Sequence, residues 1–185
     1  VRIIAGRFGG RNLKAPTGRD TRPTTDRVRE ALFSVLGDAV RGSRVADLFA
    51  GTGALGLEAL SRGAASVDFY ESRSQTLAVL KQNIVTLGVG DEVAVIAAPL
   101  PRGIKEGAPW DLVLIDPPWG KGLAGPTLTR AVERGRLAAG GLVVVEERRG
   151  QQPAAAYWRG VGLTLEDERL YGDTTIQLLR VPAAG

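Results

Sequence analysis

The chain has 185 residues, 44% of them hydrophobic and 24% charged, with a formal net charge of +4, which is enough apolar material for the core of one domain plus a small appendage. It contains no Cys, His or Met, which excludes a disulfide framework, a thiolate nucleophile, a Cys metal site, and histidine as general base or ligand. It has neither a long apolar run nor a charged-then-apolar leader, so a soluble, cytoplasmic, metal-free protein without a membrane partner is expected, working through carboxylates, backbone groups, hydroxyls and a cofactor.

The charge is uneven along the chain. Residues 1–37 carry eight Lys or Arg against three acids, a net +5, which leaves the other 148 residues at −1. A basic arm on a nearly neutral body suits a phosphate-backbone partner, because each neutralised phosphate releases counterions. Within the arm, residues 2–5 and 12–15 read as two short strands around a turn holding Gly6, Gly9 and Gly10. A polar connection over 18–25 ends in Thr24, Thr25 and Asp26, all good N-cap types. A helix is expected from there to about Leu36, with Val28, Leu32, Val35 and Leu36 inward and Gly37 as its stop.

From Arg44 onward, strand and helix patterns alternate. Strands are expected at 44–49, 66–70, 93–97, 111–115, 142–146, 163–169 and 174–181, and helices at 54–62, 73–87, 123–138 and 153–159. This alternation predicts an α/β fold with an open, doubly wound, mostly parallel sheet of seven strands, the last two forming an antiparallel hairpin at one edge. The N-terminal hairpin and helix, 1–37, form an extension to a main domain spanning 38–185.

The first strand of the sheet runs into Asp47-Leu48-Phe49-Ala50-Gly51-Thr52-Gly53-Ala54-Leu55-Gly56, a glycine-rich turn that opens a helix. Such turns lie where doubly wound folds bind ligands. GxGxxG alone is weak evidence at this glycine content, and its place after a strand is what makes it credible. A dinucleotide would rest its pyrophosphate on the helix N-terminus. S-adenosylmethionine has an ammonium and a sulfonium instead, and would gain from a carboxylate such as Asp47. Glu71, ending the second strand, suits the ribose of either.

Asp116-Pro117-Pro118-Trp119 closes the apolar run 110–115. Two prolines in a row end the strand in a stiff corner and leave carbonyls that no ladder can use. Such a corner offers acceptors beside a flat aromatic face, which suits a planar base with an exocyclic amine. With Asp116 and the Pro117 carbonyl accepting the two amine hydrogens, the nitrogen lone pair can aim at an electrophile while Trp119 stacks on the ring. An amine held beside a methyl sulfonium favours methyl transfer over hydride transfer, and S-adenosylmethionine over a dinucleotide.

Residues 2–6 (Arg-Ile-Ile-Ala-Gly), 10–13 (Gly-Arg-Asn-Leu), 22–33 (Arg-Pro-Thr-Thr-Asp-Arg-Val-Arg-Glu-Ala-Leu-Phe), 47–63 and the Asp-Pro-Pro-aromatic motif together resemble the small single-domain bacterial 16S ribosomal RNA guanine-N2 methyltransferases. The resemblance implies a Rossmann-like fold and methyl transfer from S-adenosylmethionine to N2 of a guanine in small-subunit ribosomal RNA. The substrate would be an assembled or partly assembled 30S particle, and the enzyme a monomer. It implies that Asp47, Phe49, Ala50, Gly51 and Gly53 hold the cofactor, with Glu71 and Ser72 at its ribose and Ala98 and Asp116 also in contact. Asp116, Pro117, Pro118 and Trp119 would form the catalytic corner. Arg2, Arg7, Arg11, Lys14, Arg22, Thr24 and Arg27 would meet RNA, with the whole of 22–29 lying against it. Two departures stand out: Trp119 replaces the usual Phe or Tyr, and Ala98 stands where the family commonly has Asp or Asn for the adenine amine. Rival readings are an N6-adenine or protein-amide methyltransferase, which the same corner would suit, and an RNA-binding assembly factor without turnover.

Overall fold

A computed structural model describes residues 1–17 and 25–185; Arg22 and Thr24 lie outside the described residues. In chain order the elements are α1 (Asp26–Leu36), β1 (Arg44–Leu48), α2 (Ala54–Ser61), β2 (Ser66–Tyr70), α3 (Ser74–Leu87), β3 (Val93–Ile96), β4 (Trp110–Ile115), α4 (Ala124–Glu133), β5 (Leu137–Arg148), α5 (Ala155–Val161), β6 (Thr164–Tyr171) and β7 (Thr174–Arg180). The sheet has seven strands in the order β3-β2-β1-β4-β5-β7-β6. The β3, β2, β1, β4 and β5 strands run parallel to one another, whereas β7 pairs antiparallel with both β5 and β6. This is the expected mostly parallel α/β sheet with an antiparallel hairpin at one edge. Among the described residues no helix is long and apolar enough to cross a membrane.

The central strands read as near-continuous apolar runs because they are covered on both faces. One face packs Val45, Val67, Phe69, Leu112, Leu114 and Val144 against α2 and α3, and the opposite face packs Ala46, Leu48, Val113, Ile115, Val143 and Val145 against Leu128, Ala131 and Trp158. Alternate residues of each strand thus enter opposite clusters, as the period of two requires.

Most boundaries shift by one or two residues from the sequence reading, and three features differ by more. The helix expected over 123–138 ends at Glu133, because Gly135 (φ +65°) turns the chain left-handed. The following strand begins at Leu137 rather than 142: Leu137 pairs with Trp110, and the register shifts before Leu142 meets Leu112. In the arm, the two expected strands reduce to a single bridge, Arg2 with Asn12. Its backbone finds other partners. Ile4 and Ala5 donate their N–H groups to Glu58 of α2, and Lys14 N–H donates to Asn83 of α3. The arm keeps backbone bonds of its own, Ile3 N–H to Arg11 O at 2.9 Å, Gly10 N–H to Ile3 O at 2.8 Å and Leu13 N–H to Val1 O at 2.7 Å, and side chains of the body add to this marginal hairpin.

The arm also enters the main core. Ile3 and Leu13 are buried with Leu32, Phe33 and Leu36 of α1 in the cluster on the α2 and α3 face. Thr25 caps α1, its side chain accepting from Val28 N–H, and Gly37 follows the last turn. Gly6 lies hard against Ser61, where a Cβ would run into the Ser61 carbonyl.

Candidate active site

Parallel register aligns the strand ends. Leu48 is paired with both Tyr70 and Ile115, and Tyr70 with Ile96. The residues that follow, Phe49, Glu71, Ala97 and Asp116, therefore stand in one row at the C-terminal edge of four adjacent strands. In doubly wound folds this edge, near the point where the strand order reverses, is where ligands bind. Asp116 N–H reaches Leu48 O at 3.4 Å, so the Asp-Pro-Pro corner leaves the sheet directly beside the glycine-rich loop.

The loop is shaped for close approach. Phe49 adopts φ +61°, the only non-glycine residue with positive φ among those described, an arrangement that costs roughly 1 to 3 kcal/mol and recurs at functional sites. Ala50 N–H donates to Tyr70 O at 2.8 Å, and Gly53 N–H to Ala50 O at 2.9 Å. Gly51 has φ +59° and nothing within 4 Å of the place a Cβ would occupy, so its backbone borders open space. Gly53, the N-cap of α2, is buried.

The two carboxylates differ in role. Asp47 is 1% exposed, and its Oδ2 accepts Gly56 N–H at 2.9 Å, tying β1 to the first turn of α2 beneath the loop. Burial pushes its carboxyl up to about 8, with the Gly56 bond acting downward and Glu71 adding to the rise. Glu71 is also buried, but it neighbours the Gly51 amide and Arg73, whose Nε lies 3.6 Å from Oε1. Desolvation raises its pKa, while Arg73 and the backbone amides oppose the shift. An open glycine backbone beside the Glu71 carboxyl fits the hydroxyls of S-adenosylmethionine, with Asp47 bracing the loop from beneath. Ser72 is exposed beside Glu71, and Ala98 is half-buried after β3, packed near Gly103.

At the corner, Asp116 and Trp119 are half-buried, Pro117 is buried and Pro118 exposed. The Arg148 guanidinium lies 5.7 Å from the centroid of the Trp119 ring, within cation–π range. Gly120 N–H donates to Gln151 at 3.0 Å, so the loop after β5 braces the corner. Sequence reasoning missed Arg148 and Gln151, whose distance along the chain from Trp119 leaves no motif.

Of the residues expected to meet RNA, Arg2, Arg7, Arg11, Lys14 and Arg27 are exposed. Arg2 pairs with Asp26 at 2.9 Å, and Arg7 with Glu92. Arg11 donates to Thr86 O at 2.9 Å, and Lys14 Nζ to Gln82 at 3.0 Å. The Arg7 and Arg11 guanidinium groups lie 4.6 and 5.8 Å from the Phe8 ring centroid. Exposed pairs of this kind are weak. Arg29, counted into the outward 22–29 segment, is fully buried instead. Its Nη2 bonds Asp26 at 2.7 Å and its Nη1 lies 3.8 Å from Glu58. The signal for this inversion is its position on the apolar stripe of α1 with Leu32, Phe33 and Leu36.

The family model described as "Conserved hypothetical protein 95" matches residues 1–180. The chain belongs to this family. Across its full length it is 36% identical to ribosomal RNA small subunit methyltransferase D of Escherichia coli strain K12, covering 92% of that protein. It is 37% identical over 150 residues to the protein of the same name from Haemophilus influenzae, covering 79% of this chain and 78% of that one. A solved Escherichia coli methyltransferase, yhhF, superposes with a TM-score of 0.88 at 35% identity, over 100% of this chain and 99% of that one. The family member described here is thus an enzyme on a Rossmann-like methyltransferase fold, with its glycine-rich loop and its Asp-Pro-Pro-Trp corner side by side.

Proposed function

We propose that this enzyme transfers a methyl group from S-adenosylmethionine to the exocyclic N2 of a guanine in small-subunit ribosomal RNA. The observation that carries the reading is the adjacency of Asp116 to the loop 49–53, through the Leu48 and Ile115 pairing. The full-length likeness to small-subunit ribosomal RNA methyltransferases supports the substrate class.

S-adenosylmethionine supplies an electrophilic methyl group. Phe49, Ala50, Gly51 and Gly53 would form its cradle, Glu71 and Ser72 would take the ribose, Asp47 holds the loop from below, and Ala98 would border the adenine. Asp116 and the Pro117 carbonyl accept the two amine hydrogens, which turns the nitrogen lone pair away from the ring. Pro118 stiffens the corner, and Trp119 stacks on the base. No strong base is needed in advance, since the amine sheds its proton only after becoming positive. The guanine must leave its stack, a smaller cost for a loop base than for a paired one. Residues 1–37 act as the docking arm through Arg2, Arg7, Arg11, Lys14, Arg22, Thr24 and Arg27, and 38–185 as the catalytic domain. A monomer acting in the cytoplasm on an assembled or partly assembled 30S particle fits this division, since so small a protein needs the particle's shape for specificity.

The test is to incubate the protein and labelled S-adenosylmethionine with small subunits from cells lacking the endogenous activity, and to identify the labelled nucleoside by mass spectrometry. Label in N2-methylguanosine is expected. Label in N6-methyladenosine would keep the amine chemistry and overturn the substrate, and no label despite cofactor binding would overturn both.

A further inference from the structure

Asn83 sits on the inner face of α3 and is 2% exposed. Its Oδ1 accepts Lys14 N–H at 2.8 Å, and its Nδ2 donates to two carbonyls, Lys14 O at 3.1 Å and Thr52 O at 3.0 Å. Thr52 lies between Gly51 and Gly53, in the middle of the loop. One buried amide therefore joins the end of the basic arm to the turn that faces the cofactor.

Thr52 O has particular need of this donor. It stands one residue before the N-cap Gly53, outside the helical ladder that begins with Leu57 N–H on Gly53 O, and the nearby Gly56 N–H is engaged by Asp47. A carboxamide is planar, and here both Nδ2 hydrogens are committed to different segments. Rotating it to follow one carbonyl breaks the bond to the other, and a buried amide left unpaired costs about 1 to 3 kcal/mol. The side chain is short, so a shift of Lys14 passes to Thr52 rather than being absorbed.

We propose that Asn83 is a positioning residue that makes the geometry of the cofactor loop depend on the seating of the arm. The proposal rests on the reading above, in which the loop holds S-adenosylmethionine and the arm meets RNA. Ser61 provides a contrast. It holds the arm elsewhere, accepting Phe8 N–H at 3.0 Å and, through its own carbonyl, Arg7 N–H at 2.9 Å. It lies at the far end of α2 from the loop.

The experiment compares Asn83→Ala, Leu13→Ala, Ser61→Ala and the Leu13→Ala/Asn83→Ala double variant as full-length proteins. Thermal melts and equilibrium titration with S-adenosylmethionine, without RNA, are the readouts. Leu13 is buried next to Lys14 and seats that end of the arm in the core. Asn83→Ala is expected to weaken cofactor binding about tenfold, the fold-change that follows from losing roughly one buried hydrogen bond. Leu13→Ala should weaken it severalfold, and the double variant by no more than Asn83→Ala alone, because the two changes break one connection. Ser61→Ala should lower the melting temperature but bind cofactor as the wild type does. If Asn83→Ala gives no cooperative melt, Asn83→Asp, which keeps the acceptor and loses both donors, is read by the same criterion. Wild-type cofactor affinity in the Leu13 variant, equal weakening by Ser61→Ala, or multiplicative effects in the double variant would overturn the coupling. A wild-type protein that fails to bind S-adenosylmethionine would instead overturn the functional reading beneath it.

Discussion

Arg29 of α1 and Glu58 of α2 are both completely buried and face each other, with Nη1 3.8 Å from Oε2. Glu58 also accepts Ile4 N–H, Ala5 N–H and Arg62 Nε, at 2.9, 3.2 and 2.8 Å. One carboxylate thus gathers the arm, α1 and the end of α2. Removing it leaves Arg29 charged and buried beside two unpaired amides. Glu58→Ala should lower stability by about 3 to 5 kcal/mol, read from urea denaturation, and Glu58→Gln, which keeps an acceptor, by less. A loss under about 1 kcal/mol in the alanine variant would show that the hub is dispensable.

Asp116 is predicted to act on the amine rather than to hold the fold. Asp116→Ala should abolish methyl transfer to small subunits while cofactor affinity stays within about threefold, a split expected when only the reacting geometry is lost. Normal turnover in this variant would sink the mechanism.

Trp119 is predicted to supply a stacking face, which is worth roughly 1 to 3 kcal/mol per base. Trp119→Phe should retain most activity and Trp119→Ala should raise KM for small subunits by tenfold or more, with S-adenosylmethionine binding unchanged. Equal KM values in the two variants would remove the stacking role.

Asp47 gives stability a definite pH dependence. Its carboxyl ionises near 8 in the folded protein against an ordinary 3.8. Between these values the unfolded chain sheds a proton that the folded chain keeps. The contribution is therefore complete at low pH and is lost as pH rises toward 8. Asp47→Asn should flatten the decline in denaturation midpoint between about pH 4 and about pH 8; an unchanged slope would assign that decline to other groups.

The arm cations should act through phosphate. Arg7→Ala or Arg11→Ala is expected to weaken small-subunit binding and to reduce the slope of log K against log salt by about one each. Weaker binding at an unchanged salt slope would point to packing on Phe8 instead.

The features legible in the sequence were those with local signatures. The regular exchange of strand and helix patterns announced the sheet, Thr24, Thr25 and Asp26 announced the start of α1, which Thr25 caps, and Asp116-Pro117-Pro118-Trp119 announced a corner after β4. Each rests on neighbours a few residues apart. The overlong helix over 123–138 shows the limit: its apolar spacing continued past Gly135 because Leu137 is half-buried for a different reason, as the first residue of β5.

The chain's own order of residues thus determined the fold class, the two motifs and the basic bias of the first 37 residues, because periodicity, turn chemistry and charge are written locally. Only the tertiary structure decided that Arg29 turns inward, that the arm is tied to Glu58 and Asn83 as well as to itself, and that Asn83 reaches the glycine-rich loop. The physical reason is that a buried polar group must find its partner wherever the packed chain brings one. Glu58 and the amides it satisfies lie 53 and 54 residues apart, a separation that no local pattern records.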